Sequence, residues 1–207
     1  MESNSSIIRK ALGMPFVSAE ITEAVEFLFA RWEKERNGEN PYLLMMTTPL
    51  KSYYIELVDE DTDKLSDLAI NLTGGHQTGI CQRGCFVYYP KDPNFDVFIS
   101  AEYFGFVEYR QKVEMKIDVE YLQEKLGKFL QVCSSWYIHK GFDNDVLLSV
   151  MLTNAEEISL VNHSTEYSQP IPESLVLSYH RVPCNRLSDR NVKRRTINEL
   201  KGAFNIS

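Results

Sequence analysis

The sequence predicts an α+β fold: a mainly antiparallel sheet covered by two long amphipathic helices, with a basic helix at its C-terminal end. Three observations carry that expectation. Apolar residues recur at helical spacing over 19–37 and over 118–139. Short runs rich in Val, Ile, Tyr and Phe follow one another with brief turn-forming links, which favours antiparallel pairing. The helical stretches fall between runs of strands instead of alternating with them one for one.

The chain is organised around the stretch from Asp118 to His139. Its large apolar residues fall at Leu122, Leu126, Phe129, Leu130, Cys133, Trp136 and Tyr137, one stripe of a one-sided helix, with Gln123, Glu124, Lys125 and Lys128 mostly off it. Asp118 can cap the first turn, Glu120 places a carboxylate where the helix dipole favours it, and Gly141 supplies a stop. Because β-like segments flank this helix on both sides, it is expected to cover one face of the sheet.

The remaining elements follow in order. Residues 1–13 read as an N-terminal arm. Ser18 caps a helix from Ala19 to Asn37 with the stripe Ile21, Val25, Leu28, Phe29 and Trp32, ended by Asn37-Gly38. Tyr42 to Thr47 and Ser52 to Leu57 read as a hairpin turning at Pro49-Leu50-Lys51. Asp59 to Leu72 favours a short helix, and Thr73 to Gly84, with four Gly in twelve residues, a loop. Strands are expected over 85–89, 96–100 and 105–111, then over 146–153, 158–161 and 174–181. His163 marks an exposed turn. A final amphipathic helix runs over 189–204 with Val192, Ile197, Leu200 and Phe204 on its apolar side. The domain organisation is thus the arm 1–13, a single α+β domain 14–182 and a basic C-terminal helix 183–207.

Composition is that of an ordinary globular chain, 43% hydrophobic and 25% charged over 207 residues. The charge is unevenly placed. From Arg181 to Lys201 there are seven basic residues against Asp189 and Glu199, a surplus of five. The remainder of a chain with total charge −7 therefore carries −12. An acidic body repels a phosphate backbone and the basic tail attracts one. The opening residues lack the pattern of a signal peptide and no apolar run is long enough to span a bilayer, so a cytoplasmic location with reduced thiols at Cys81, Cys85, Cys133 and Cys184 is expected.

Four constellations invite a chemical reading. The run Asp59 to Asp67 sets carboxylates at positions 1, 3, 5 and 9 of a calcium loop, but Lys64 stands where that loop needs Gly and Ile70 where it needs a bidentate Glu. Gly74 to Gly79 has phosphate-loop spacing, but Ile80-Cys81 replace the required Lys and hydroxyl residue. Cys81-x3-Cys85 and His180-x3-Cys184 could supply four zinc ligands only if strand positions converged, so no metal or other cofactor is expected. No nucleophile motif surrounds His76, His139, His163 or His180, and no catalytic residue is assigned.

The segment RLSDRNVKRRTINELKGAF is the strongest functional feature. Arg186, Arg190, Lys193, Arg194, Arg195 and Lys201 are its candidate nucleic-acid-binding residues, since phosphate contact requires cations displayed along one flank. The competing reading is a charged helix that pairs with the acidic body or mediates self-association.

One resemblance bears on these readings. It is carried by Gly84 to Tyr89, Phe104 to Tyr109, the long helix, Val146 to Thr153, and Pro170-Ile171-Pro172-Glu173 leading into Leu175-Val176-Leu177. Across about 42–182 this succession resembles the region C-terminal to the AlbA-type module in bacterial schlafen-like DNA-binding proteins. The resemblance implies an accessory α+β segment in bacterial regulation or defence, beside a module linked to nucleic acid. It rests on element order, supplies no site residues, and the chain has no recognisable AlbA-type module.

The expected function is a non-catalytic interaction or sensing module with a protein partner or self-association and no membrane contact. Nucleic-acid binding through the C-terminal helix is the second reading. A small hydrolase-type enzyme built on the 73–85 loop is the third.

Overall fold

The computed structural model describes residues 40–50, 53–67, 77–80, 84–89, 97–103, 105–170 and 175–206. The first strand, β1 (Tyr42–Pro49), is followed by helix α1 (Asp59–Ser66) and a meander of β2 (Gln77–Ile80), β3 (Gly84–Tyr89), β4 (Val97–Glu102) and β5 (Val107–Lys112). A short β6 (Lys116–Asp118) leads into the long helix α2 (Val119–His139) and then β7 (Asp145–Thr153). The chain closes with β8 (Ser159–Asn162), β9 (Thr165–Ser168), β10 (Leu175–Pro183) and helix α3 (Arg190–Gly202).

These strands form a seven-stranded sheet in the order β10-β7-β1-β5-β4-β3-β2 and a three-stranded one in the order β6-β8-β9. Every neighbouring pair in the large sheet is antiparallel. Because β5 and β7 both flank β1 in that sense, they run parallel to each other, and α2 is the crossover that parallel strands require. In the small sheet β6 pairs parallel to β8.

The helix α2 forms where its stripe dictates. The Asp118 carboxylate accepts from the Glu120 N–H at 2.7 Å, and the chain leaves the helix at Gly141 with φ +70°, a left-handed turn open to glycine. Leu122, Leu126, Phe129, Leu130, Cys133, Trp136 and Tyr137 are all buried against the sheet. Such burial contributes roughly 1.5–3 kcal/mol for each large side chain. The Tyr137 hydroxyl pins helix to sheet by donating to the Gly105 carbonyl at 2.7 Å, with Thr47 Oγ1 2.9 Å away.

Alternate residues of the strands meet α2 across this face. Leu43 and Met45 of β1, Ile99 of β4, Val107 and Tyr109 of β5, and Leu148 and Val150 of β7 share one core with it. Leu65 of α1, Ile117 and Leu160 of the small sheet, and Ile197, Leu200, Phe204 and Ile206 at the C-terminal end join the same core. An α+β fold with a large antiparallel sheet and a long amphipathic helix is therefore the architecture. The arm 1–13 and the helix expected over 19–37 lie outside the described residues.

Two expectations are corrected. The hairpin of Tyr42 to Thr47 with Ser52 to Leu57 does not form, since β1 pairs with β5 and β7 and residues 53–58 join no ladder. The loop expected over 73–84 contains an edge strand, β2, paired to β3.

Candidate polyanion-binding face of the C-terminal helix

The sequence places apolar residues of α3 on one side, and that side builds the site by docking. Leu187 anchors the approach, Ile197 and Leu200 enter the core, and Phe204 and Ile206 follow just past the helix. The opposite side is left facing water. The Asp189 carbonyl accepts from the N–H groups of Val192 and Lys193 at 3.0 and 3.3 Å, which starts the helix and sets Arg190 in its first turn.

The six candidate cations separate into four kinds. Arg186, Arg190 and Arg194 are exposed, and among the described residues none of them forms an ion pair. Arg194 only touches the Asn191 side-chain oxygen, at 3.3 Å. Arg190 and Arg194 are one helical step apart and share a flank with Lys201, which is half-buried and engaged within the chain. Arg195 lies on the other flank and pairs with Glu199 at 3.2 Å. Lys193 is turned inward over α2 at Gly127, where a Cβ would stand 3.3 Å from the Lys193 Cδ. The contiguous run Lys193-Arg194-Arg195 is therefore split three ways, as a helix must split consecutive residues. Arg181, just outside the helix, is paired with Asp145 at 2.6 Å.

An i,i+4 step on a helix advances about 6 Å. Arg190 and Arg194 therefore stand close together on one flank of α3, and Arg186 lies in the short turn that precedes the helix.

Beneath α3 lies a polar cluster that no sequence motif marks. Ser178 Oγ donates to Glu199 Oε2 at 2.9 Å and stands 3.2 Å from His180 Nε2, which is itself 3.2 Å from Glu199 Oε2. The residue types are those of a Ser-His-acid relay, but a relay sets the acid on the ring nitrogen opposite the serine. Here both partners meet Nε2, while the buried Nδ1 has no hydrogen-bond partner. The cluster ties α3 to β10. Burial lowers the His180 pKa, Glu199 pulls it up and Arg195 pushes it down, and the net direction is downward, so the ring is neutral at neutral pH.

A second buried cluster holds α1 against the end of α2. The Asp61 carboxylate accepts from Lys140 Nζ at 2.7 Å, the Trp136 indole N–H at 3.0 Å and the Val58 N–H at 2.8 Å. Lys140 also donates to the Glu56 carbonyl at 2.8 Å. Burial pushes the Asp61 carboxyl up, and these three donors more than reverse it, leaving the carboxyl below its ordinary value. The acidic run is a helix N-terminus, but Asp61 within it is fully buried and not solvated. Lys125, expected mostly off the apolar stripe, is also buried, with its ammonium 5.5 Å from the Tyr121 ring and 6.0 Å from that of Tyr109.

The third reading needs His76, Cys81 and Cys85 together. His76 and Cys81 lie outside the described residues. Cys85 is buried in β3, and burial together with the nearby Asp61 carboxylate pushes its thiol up to about 12, far from the range of a reactive thiolate. Among the described residues no three His, Cys, Asp or Glu side chains stand close enough to hold a metal ion. No helix among them is long and apolar enough to cross a membrane.

Compared with protein-family models, with curated proteins and with solved structures, the chain has no match.

Proposed function

We propose that this chain is a non-catalytic interaction module that holds nucleic acid by its backbone phosphates along the outer flank of α3. One observation carries the reading: three exposed arginines, Arg186, Arg190 and Arg194, form no ion pair among the described residues of a chain whose net charge is −7. The other exposed arginines among the described residues are neutralised in place, Arg181 by Asp145 and Arg195 by Glu199. Contacts of this kind position a strand without reading its sequence.

The same proposal takes in the schlafen-like resemblance of 42–182, which sets the module beside nucleic-acid-directed bacterial regulation or defence. It also takes in a cytoplasmic location, where the unpaired Cys85, Cys133 and Cys184 stay reduced. The covering of the sheet by a second long helix over 19–37 belongs to it as well.

The test is fluorescence anisotropy with a labelled 20-base-pair duplex and, separately, a labelled polyglutamate of equal charge. The double reversal Arg190→Glu/Arg194→Glu should weaken duplex binding at least tenfold, while Lys193→Gln/Arg195→Gln changes it by less than threefold. Unchanged duplex binding by the reversal would remove nucleic acid from the account. Equal affinity for polyglutamate would shift the partner to an acidic protein surface.

A further inference from the structure

Residues 53–58 join no ladder, yet they are held in place. The Tyr53 ring packs on that of Phe142 with centroids 5.3 Å apart, and its hydroxyl donates to the Lys140 carbonyl at 3.3 Å. The Ile55 N–H donates to the Tyr103 carbonyl at 2.7 Å. Ile55 and Leu57 are buried, so the alternate side chains of Tyr54, Glu56 and Val58 turn to solvent. Tyr54 is 70% exposed and Val58 40%. The Tyr54 ring is fixed nonetheless: it lies within 4° of parallel to that of Tyr103, centroids 5.6 Å apart, which backs one ring face and presents the other. The carboxylates of Glu56, Asp59 and Asp63 stand exposed along this strip, and among the described residues none of them forms an ion pair. The neighbouring cation, Lys140, is engaged by Asp61 and by the Glu56 carbonyl. The helix dipole accounts for an acid at Asp59, at the start of α1, but not for an exposed and stacked tyrosine.

We propose that this strip receives Arg186, Arg190 and Arg194 from a second copy of the chain, in a dimer closed by a two-fold axis. Charge complementarity selects that occupant. The strip offers unpaired carboxylates beside an open aromatic face, and these three arginines are exposed cations with no ion pair among the described residues. A guanidinium answers both features at once, since it stacks on a tyrosine face and forks to a carboxylate. The two surfaces also lie at one end of the molecule. The Phe142 ring meets Tyr53, and the Phe142 carbonyl accepts from the Cys184 thiol at 3.1 Å. Cys184 in turn opens the short turn that ends at Arg186. Two complementary patches at one end of a chain meet their counterparts twice when copies pair about a two-fold axis, so the contact closes instead of extending into a fibre. The inference goes beyond the nucleic-acid reading and does not require it, because it uses the arginines and not a phosphate ligand.

The test is analytical ultracentrifugation of the full chain at about 50 mM salt, with Arg190→Glu/Arg194→Glu, Glu56→Lys/Asp63→Lys and Tyr54→Ala as variants. Each variant should raise the dimer dissociation constant at least tenfold, and about 500 mM salt should do the same to the wild type, because exposed charges are then screened. An equal mixture of the two charge reversals should restore the wild-type constant to within threefold, since both contacts of the mixed dimer again join unlike charges. A wild-type chain that stays monomeric up to about 200 μM would overturn the proposal. So would a dimer that both reversals leave intact, or a mixture of the reversals that stays monomeric. If a reversal fails to fold, Tyr54→Ala decides alone: a weakened dimer supports the contact, and an unweakened one overturns it. Labelled duplex added to the same samples separates the two readings. A dimer without duplex affinity keeps this contact and removes nucleic acid, and duplex affinity in a monomeric wild type does the reverse.

Discussion

Asp61→Ala tests the packing logic most sharply. The substitution removes a fully buried carboxylate on which three donors converge: Lys140, Trp136 Nε1 and the Val58 N–H. Removing one partner from a buried ion pair costs about 3–5 kcal/mol, because the other charge is left in low dielectric. The Lys140 side chain keeps 10% exposure and a bond to the Glu56 carbonyl, so it can tilt outward, which places the cost near the low end. The stranded Trp136 N–H adds a further penalty, since an orphaned buried donor costs about 1–3 kcal/mol. A total of about 4–6 kcal/mol corresponds to a fall in Tm of roughly 8–24 °C in a domain of this size. Urea unfolding followed by tryptophan fluorescence measures it. The double substitution Asp61→Leu/Lys140→Met should recover most of the loss, because an apolar pair of similar volume replaces a buried ion pair at little cost. A loss below 1 kcal/mol for Asp61→Ala, or a double variant weaker than the single one, would refute the reasoning.

Two further outcomes follow from the same geometry. Gly127→Ala gains about 1 kcal/mol of helix propensity in α2, and its new Cβ meets only the flexible Lys193 side chain at 3.3 Å, so calorimetry should show Tm unchanged or raised. His180 is buried and its folded pKa is depressed, so its neutral form contributes stability above the unfolded value of about 6.5. That contribution is lost as pH falls towards the folded pKa. Between pH 7 and 5 the wild-type chain should therefore lose stability to urea more steeply than His180→Gln, and parallel curves would assign the acid sensitivity elsewhere.

What the sequence reveals and what it hides divide along a physical line. The helix α2 was legible because its cap at Asp118, its stripe from Leu122 to Tyr137 and its stop at Gly141 are local signals that agree. The strands β1 and β7 read as continuous apolar or near-apolar runs, as expected of strands crossing the middle of a sheet. Residues 53–58 misled for an instructive reason. Ile55 and Leu57 are buried while Tyr54, Glu56 and Val58 are exposed, a period of two that reports a face and not a hydrogen-bonded neighbour. Among the described residues a backbone tie crosses to the meander from the Ile55 N–H to the Tyr103 carbonyl at 2.7 Å. In β2 the glycines suggested a loop, yet Gly79 pairs with Phe86 and leaves room for its ring, with a Cβ there only 3.1 Å from Phe86 Cζ.

The candidate face was half legible. The arginines announce themselves by charge, but which of them face water depends on Gly127 beneath Lys193 and on Glu199 beside Arg195. The partners Asp61 and Lys140, and Ser178 and Glu199, are far apart in the chain and share no motif, so only the folded arrangement reveals them.

The outer row of α3 is tested most directly by the salt dependence of duplex affinity. Each phosphate contact contributes about 0.9 to the slope of log K against log salt. Replacing Arg186, Arg190 and Arg194 together by Gln should therefore flatten the wild-type slope by roughly 2–3. An unaltered slope in that variant would mean that these arginines touch no phosphate, and would contradict the assignment of the face.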